Sequence, residues 1–356
     1  MASAAGSGTV AVMMSGGVDS AVAAALLLEQ GYAVVGVTMK LWGGESDSGC
    51  CSVSDVDDAR RVADQLGIDH HVFNFGDTFD EFVVDPYVAA HGQGLTPNPC
   101  IECNRHVKFD RMLARADALG FDAIATGHHA RVATMPGGGL RLARGADAAK
   151  DQSYVLYMLD QSVLRRLLLP VGEMTKDEVR SHASRLGLRI ASKPDSQDVC
   201  FITAAGGGRP AFLTERMPLT PGTVVDRSGA TVGSVDAVQL VTIGQRKGLN
   251  TAGQGEPVYA IDVDVPEARV TVGRKADLLT DVTSIGRLEW ADQAPVAGRY
   301  GVQISAHGRV AEAEVEPGPD DTLELRWVAP HNKVAAGQSV VLYEAETVIG
   351  GGIALP

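Results

Sequence analysis

The sequence predicts an α/β protein: an N-terminal doubly wound parallel sheet, a small β-rich central domain and a C-terminal antiparallel β-barrel. Three observations carry this. Short apolar runs alternate with helical patterns through the first half of the chain, the arrangement that folds as a parallel sheet covered by helices on both faces. The first such run breaks into Ser15-Gly16-Gly17-Val18-Asp19-Ser20 and resumes as an alanine- and leucine-rich helix. From about Ala211 onward helical periodicity almost vanishes, and β-rich runs separated by Gly, Pro and Asp take over. A chain of 356 residues, 45% hydrophobic, exceeds one typical core, so we divide it at 1–210, 211–279 and 280–356.

Taken in order, Val10-Ala11-Val12-Met13 is a buried-type strand, and residues 21–28 form the helix behind the glycines. Residues 34–39 make a second buried strand, 55–66 a helix stopped by Gly67, and 70–74 a third strand. Pro97 and Pro99 flank Asn98 and forbid a regular element there, while Pro99 can start a short helix with Cys103 in its first turns. An amphipathic helix is expected at 109–119, a strand at 121–129 ending in Gly127 and His128, and a hairpin at 131–144 turning on Pro136 and three glycines. Lys150-Asp151-Gln152-Ser153-Tyr154 reads as an exposed polar run before an apolar helix at 155–159. Thr175 and Glu178 have the spacing of a capping box that opens the next helix. Cys200 follows a polar turn containing Pro194. In the second half, runs at 224–225, 238–241, 258–261, 270–272, 301–304, 323–327 and 339–343 are the expected strands.

No stretch approaches the roughly 18 consecutive apolar residues of a membrane span, and residues 1–8 lack the basic start of a signal peptide. A cytoplasmic protein with no membrane partner is expected. The net charge of −13 argues against indiscriminate nucleic-acid binding, although basic clusters at 105–115 and 176–193 leave room for a local basic face; each also fits a solvated surface. Five cysteines are too few for a disulfide framework, and the adjacent Cys50 and Cys51 read as part of a flexible Gly/Ser-rich loop without catalytic duty.

The chemistry concentrates at the carboxyl edge of the predicted sheet. Two adjacent glycines let the backbone approach a ligand, and the following helix points its unpaired amides and positive dipole end at the loop, so an anion belongs there. Ser15 and Ser20 add hydroxyls; Asp19 would repel a bare phosphate and suits either a helix N-cap or a ligand to Mg²⁺ accompanying phosphates. An ordinary strand-to-helix turn uses the same residue types, but strand, loop and helix stand in the order phosphate binding requires. The loop lacks the Gly-Lys-Ser/Thr of the common P-loop. At Cys103, a helix start together with Arg105 and Lys108 favours a thiolate. His128 is either a functional edge residue or a polar group bonded to backbone.

The Ser-Gly-Gly-Val-Asp-Ser loop resembles that of the ATP pyrophosphatases, the PP-loop enzymes, which adenylate a substrate oxygen. Together with Thr96-Pro97-Asn98-Pro99, Cys103-Asn104, Gly127-His128, Lys150 to Tyr154, Ser196-Gln197-Asp198-Val199-Cys200-Phe201-Ile202, the Gly244 to Leu249 run and Gly337-Gln338-Ser339, it resembles the tRNA-specific 2-thiouridylases, the MnmA/TrmU family, block by block and in order. That resemblance implies an enzyme exchanging oxygen for sulfur at the 2-position of a wobble uridine, consuming ATP with Mg²⁺. It implies that Met13, Met14, Ser15, Gly16, Gly17, Val18, Asp19, Ser20, Met39 and Gly127 bind ATP. Cys200 would carry persulfide sulfur from a sulfur-donor protein, and Cys103 would complete transfer, leaving a Cys103–Cys200 disulfide for an outside reductant. Asn98, Pro99 and Cys100 would meet the target base in the tRNA anticodon loop, and His128, Lys150, Asp151, Gln152 and Gln338 would touch tRNA; no protein-bound metal is implied.

The chemistry is coherent on its own terms. The uracil 2-oxygen is a poor leaving group and must first be adenylated, and sulfur must arrive in a reactive, non-diffusing form, which a cysteine persulfide supplies. The base must also leave its stack to be reached. Two departures stand out: Cys100 occupies a position where many relatives carry an acidic residue, creating Cys-x-x-Cys, and Ser305-Ala306-His307 replaces an Arg-Tyr-Arg-like run. Three other readings stay open: an iron–sulfur cluster on Cys100, Cys103 and Cys200, an amide-forming ATP pyrophosphatase, and a zinc-stabilised RNA-binding module.

Overall fold

The computed structural model describes residues 7–41, 53–195, 199–202, 206–251 and 256–356; Cys50, Cys51 and Ser196 to Asp198 lie outside them. The N-terminal part is built from β1 (Thr9–Met13), α1 (Val18–Glu29), β2 (Ala33–Lys40), α2 (Val53–Leu66), β3 (His70–Asn74), β4 (Ala123–Ala125), the hairpin β5 (Ala130–Thr134) and β6 (Leu140–Arg144), and β7 (Leu167–Leu168). Five strands pair in the order β3-β2-β1-β4-β7, all parallel. Alternate residues of β1 serve opposite faces. Ala11 and Met13 pack with Ile124, Phe109 and Met112, whereas Val10, Val12 and Met14 pack against α1, α2 and the helix Lys176–Arg185. Burial on both faces explains the unbroken apolar run. Strand order reverses between β1 and β4, so the crevice beyond their carboxyl ends is the natural ligand site.

The helix after Pro99 begins further upstream than its apolar spacing suggests. Pro99 is its first residue, the Asn98 side chain accepts from the Cys100 amide at 3.1 Å, and the chain continues through wider π-type turns at Cys103–Arg111 into Met112–Leu119. Gly120, at φ 73°, ends it in the left-handed conformation glycine adopts without penalty.

Three expectations need correction. The strand at 121–129 shrinks to β4, because Thr126 turns its hydroxyl onto His128 and the chain leaves the sheet. The Lys150 to Tyr154 run is not exposed: Ser153 and Tyr154 are buried, and Ser153–Leu156 is a 3₁₀ turn where an apolar helix is expected at 155–159. Val238–Leu240 is also a 3₁₀ turn, held by the Gln239 side chain accepting from the Thr220 amide at 3.0 Å.

The central sheet orders β8 (Gly222–Val225), β9 (Thr231–Val235), β10 (Tyr259–Asp264) and β11 (Arg269–Gly273) as β10-β11-β8-β9. The last part contains β12 (Leu279–Trp290), β13 (Gly298–Gln303), β14 (Ala311–Pro317), β15 (Leu323–Asn332), β16 (Ser339–Glu344) and β17 (Thr347–Ala354). Pairing of β12 with both β15 and β17 closes this antiparallel barrel. The hairpin β5–β6 adds to the barrel at β17, with Ala143 opposite Thr347, so a piece of the first half extends the sheet of the last. No helix among the described residues is long and apolar enough to cross a membrane.

Candidate active site

The glycine loop sits at the strand-order reversal. Gly17 precedes α1 without a side-chain cap, leaving the first amides of the helix to a ligand. Asp19 therefore is not the N-cap; it stands in the first turn of α1. The Ser20 hydroxyl closes the loop, accepting from the Ser15 amide at 3.2 Å and donating to the Gly17 carbonyl at 3.1 Å. Gly16 has φ 73°, and a Cβ there would lie 2.4 Å from the Asp55 carbonyl oxygen. Gly127, two residues beyond β4, abuts the same loop, since its Cβ would fall 2.5 Å from the Ser20 amide nitrogen. Met13, Met14 and Val18 are buried in the core, so only their backbone faces the crevice; Met39 packs at the edge of two core clusters. Exposed Ser15, the uncapped helix start and two glycines that only hydrogen can occupy stand together at this strand-order reversal.

Around this loop runs a charge network missing from the sequence reading. Lys176 Nζ donates to both Asp19 oxygens at 2.7 Å and pairs with Asp195 at 2.8 Å. Lys193 Nζ donates to the Gly16 carbonyl at 3.0 Å and to Asp55 and Asp58 at 2.7 Å. Asp195 also pairs with Lys150 at 2.7 Å and Arg180 at 3.1 Å. Burial pushes the Asp195 carboxyl up, but the Lys150 and Lys176 bonds outweigh it and bring it down to about 2. Asp19 is likewise held below its usual range, burial being overcome by His129 and Lys176. His129 Nε2 lies 3.1 Å from Asp19. The signal for Lys176 and Lys193 is present in the basic segment at 176–193, and the capping box on Thr175 places Lys176 first in its helix. What the pattern lacks is any indication that the cations turn inward.

Cys103 and Cys200 pack on one apolar cluster. Cys103 is buried in an apolar cluster with Tyr87, Val107, Phe201 and Phe212, and half-buried Cys200 packs on the same cluster. Cys100 is exposed. Two thiols far apart in the chain therefore share one pocket of core. Among the described residues, no three His, Cys, Asp or Glu side chains are grouped as metal ligands.

The remaining predicted residues divide. Asn98, beside Pro99, accepts from the Cys100 amide at 3.1 Å, and the buried Tyr154 hydroxyl donates to the Ser339 carbonyl at 2.8 Å. Gln338 is in the barrel turn that packs on this stretch: Thr96 N donates to the Ala336 carbonyl at 2.8 Å, and a Cβ at Gly337 would lie 2.9 Å from Leu95. Asp151 faces inward, with a side chain only 6% exposed, bonded to Arg144 at 2.7 Å and to the Ser153 hydroxyl at 2.9 Å. Gln152 exchanges 2.9 Å hydrogen bonds with the backbone of His129. His128 shares a 2.8 Å hydrogen bond with Thr126, and burial, followed by the charge of Lys108, lowers its ring to about 3, so it stays neutral at physiological pH.

Comparison with known proteins spans the same architecture. Family profiles described as a tRNA methyl transferase HUP domain, a tRNA methyl transferase PRC-barrel domain and an aminomethyltransferase beta-barrel domain match residues 8–204, 210–274 and 280–354. A protein of Carboxydothermus hydrogenoformans is 44% identical over 354 residues, covering 96% of each chain. One from Herpetosiphon aurantiacus is 44% identical over 96% of this chain and 97% of its own. One from Roseiflexus sp. is 43% identical over 96% of this chain and 98% of its own. All three carry the name tRNA-specific 2-thiouridylase MnmA.

Proposed function

This chain belongs to the tRNA-specific 2-thiouridylase family, and from that premise we propose that it replaces the 2-oxygen of a tRNA wobble uridine with sulfur, driven by ATP. The observation that carries the reading is the pairing of an uncapped, glycine-led helix start with two cysteines in one apolar cluster. Methyl transfer, which two of the profile descriptions mention, would give neither feature a task.

ATP, accompanied by Mg²⁺, supplies the adenylyl group that turns the uracil oxygen into a leaving group and leaves pyrophosphate. The α1 amides, Ser15 and the glycine backbone hold the phosphates. Lys176 and Lys193 provide compensating charge by exchanging their Asp19, Asp195, Asp55 and Asp58 partners for phosphate oxygens. Asp19 as a Mg²⁺ ligand would likewise have to release Lys176. Cys200 receives sulfur as a persulfide from a sulfur-donor protein. Cys103 attacks the Cys200 sulfur, and the terminal sulfur departs with its electron pair for the uracil C2 as AMP leaves. Burial of Cys103 keeps that exchange away from water.

Asn98, Pro99, exposed Cys100 and the Gln338 turn form the base-receiving edge, a reading supported by their contact across the barrel junction. Lys150 and His128 stand nearer the glycine loop. Asp151 and Gln152 act from within, holding the 144–153 turn and the His129 backbone while the RNA meets their neighbours.

Cys103→Ser and Cys200→Ser test the relay. Each is expected to abolish thiolation, with Cys200→Ser retaining tRNA-dependent exchange between ATP and pyrophosphate. Normal thiolation by Cys200→Ser would overturn it.

A further inference from the structure

The relay leaves Cys100 without a part, yet its position suits one. Cys100 and Cys103 stand three residues apart on one helical segment and therefore on the same side. Helical neighbours at that spacing have Cβ atoms roughly 5–6 Å apart, about an ångström or two beyond a disulfide's usual separation. Tightening by that amount falls where the short α turn Pro99–Glu102 gives way to wider π turns, a junction that is not a uniform helix. Tyr87 links the segments that carry Cys103 and Cys200. Its ring meets Phe201, the neighbour of Cys200, edge-on at 5.6 Å between centroids, and it shares the cluster that holds Cys103.

The relay ends with Cys103 oxidised inside an apolar cluster, 5% exposed, where a protein reductant has poor access. Cys100 is the exposed sulfur next to it. Thiol–disulfide exchange depends on access to the attacked sulfur, so an exposed thiol beside a disulfide whose one sulfur is buried and the other half-buried offers a more open route out.

We propose that Cys100 is the resolving thiol of this enzyme, converting a half-buried Cys103–Cys200 disulfide into a more accessible Cys100–Cys103 disulfide. The Cys100 thiolate attacks Cys103 Sγ. The Cys100–Cys103 bond forms as the Cys103–Cys200 bond breaks, and Cys200 leaves as a thiolate ready for another persulfide sulfur. A dithiol reductant of the thioredoxin class then attacks Cys100 Sγ, expelling the Cys103 thiolate. Its second thiol closes on the first, returning Cys100 to the thiol and carrying away both oxidising equivalents.

The inference rests on the sulfur relay proposed above, and the test separates the two. Full-length protein loaded by glutathione persulfide is given ATP, Mg²⁺ and unmodified tRNA for one turnover, quenched with N-ethylmaleimide and mapped for disulfides by peptide mass spectrometry. The wild type is expected to show Cys100–Cys103 linked and Cys200 alkylated, whereas Cys100→Ser accumulates Cys103–Cys200. With thioredoxin and its reductase as reductant, the ratio of steady-state to first-turnover rate is expected to fall at least tenfold in Cys100→Ser and to recover in excess dithiothreitol. Recovery in dithiothreitol separates lost regeneration from altered base binding, since dithiothreitol restores only the reduction step. Cys103–Cys200 as the wild-type product, or an unchanged ratio in Cys100→Ser, overturns the resolving role and leaves the relay standing. Thiolation with no disulfide among the three cysteines, or an iron–sulfur chromophore on them, overturns the relay and this inference together.

Discussion

Replacing Gly127 by alanine tests the junction on which the nucleotide site depends. A Cβ at this position would lie 2.5 Å from the Ser20 nitrogen, 2.6 Å from the Asp19 carbonyl carbon and 2.9 Å from Asp19 Cβ. Ordinary contact needs roughly 3.5 Å, so β4 and the first turn of α1 must separate by about 1 Å. Neither yields easily, because β4 is paired in register with β1 and most of α1 is buried. Overpacking of this kind costs about 1–3 kcal/mol. The displaced groups are the α1 amides and Asp19 with its Lys176 and His129 partners, and a 1 Å misplacement of positioning groups costs on the order of 10²-fold in rate. Gly127→Ala is thus expected to lower tRNA-dependent ATP–pyrophosphate exchange about a hundredfold and to lose 1–3 kcal/mol by urea unfolding. Gly137→Ala, with nothing within 4 Å of the added carbon, is the matched control. Exchange within twofold of wild type in Gly127→Ala, with unchanged stability, would refute the abutment.

Lys176→Met removes the cation shared by Asp19 and Asp195; exchange is expected to fall at least tenfold with a raised KM for ATP, and an unchanged KM would mean that Lys176 only holds the fold together. His91 is 2% exposed, and burial, with the nearby charge of Arg209, lowers it to about 4. A histidine depressed in the fold contributes stability that is complete above its unfolded value near 6.5 and is lost as pH falls toward 4, by roughly 3 kcal/mol at most. Urea titrations at pH 7 and pH 4.5 should show that loss in the wild type and a smaller one in His91→Phe, and identical pH dependence would exclude it. Arg144→Met strands the Asp151 carboxylate without its ion partner and removes the cation 3.9 Å from the Tyr343 ring. A loss of about 3–5 kcal/mol by urea unfolding is expected, and a change below about 0.5 kcal/mol, the size of an ordinary surface substitution, would contradict the inward reading of Asp151.

Local pattern carries what local physics determines. The unbroken apolar run of β1 announces burial on both faces, the two glycines and following helix announce an anion cradle, and Thr175 with Glu178 announces a helix start that forms both reciprocal bonds. Contacts between distant segments leave no such mark. Nothing near Ala143 or Thr347 indicates that a hairpin of the first half pairs with the barrel, because strand pairing depends on a partner two hundred residues away. Lys150 and Asp151 look solvated until Asp195 and Arg144 are seen opposite them, since a buried ion pair and a surface charge use the same residues. The run at 238–241, with a valine at each end, reads as a strand until the Gln239 side chain supplies the competing hydrogen bond. For the cysteines, the family resemblance implies a relay, and the fold adds that Cys103 and Cys200 pack on one apolar cluster.

Nucleoside mass spectrometry tests the central claim most directly. Unmodified tRNA with a wobble uridine is incubated with the purified protein, Mg²⁺ and a persulfide donor, with and without ATP. The account predicts replacement of one uridine oxygen by sulfur only when ATP is present, with AMP and pyrophosphate formed in equal amount. Thiolation without ATP, or intact ATP beside unchanged uridine, would contradict it.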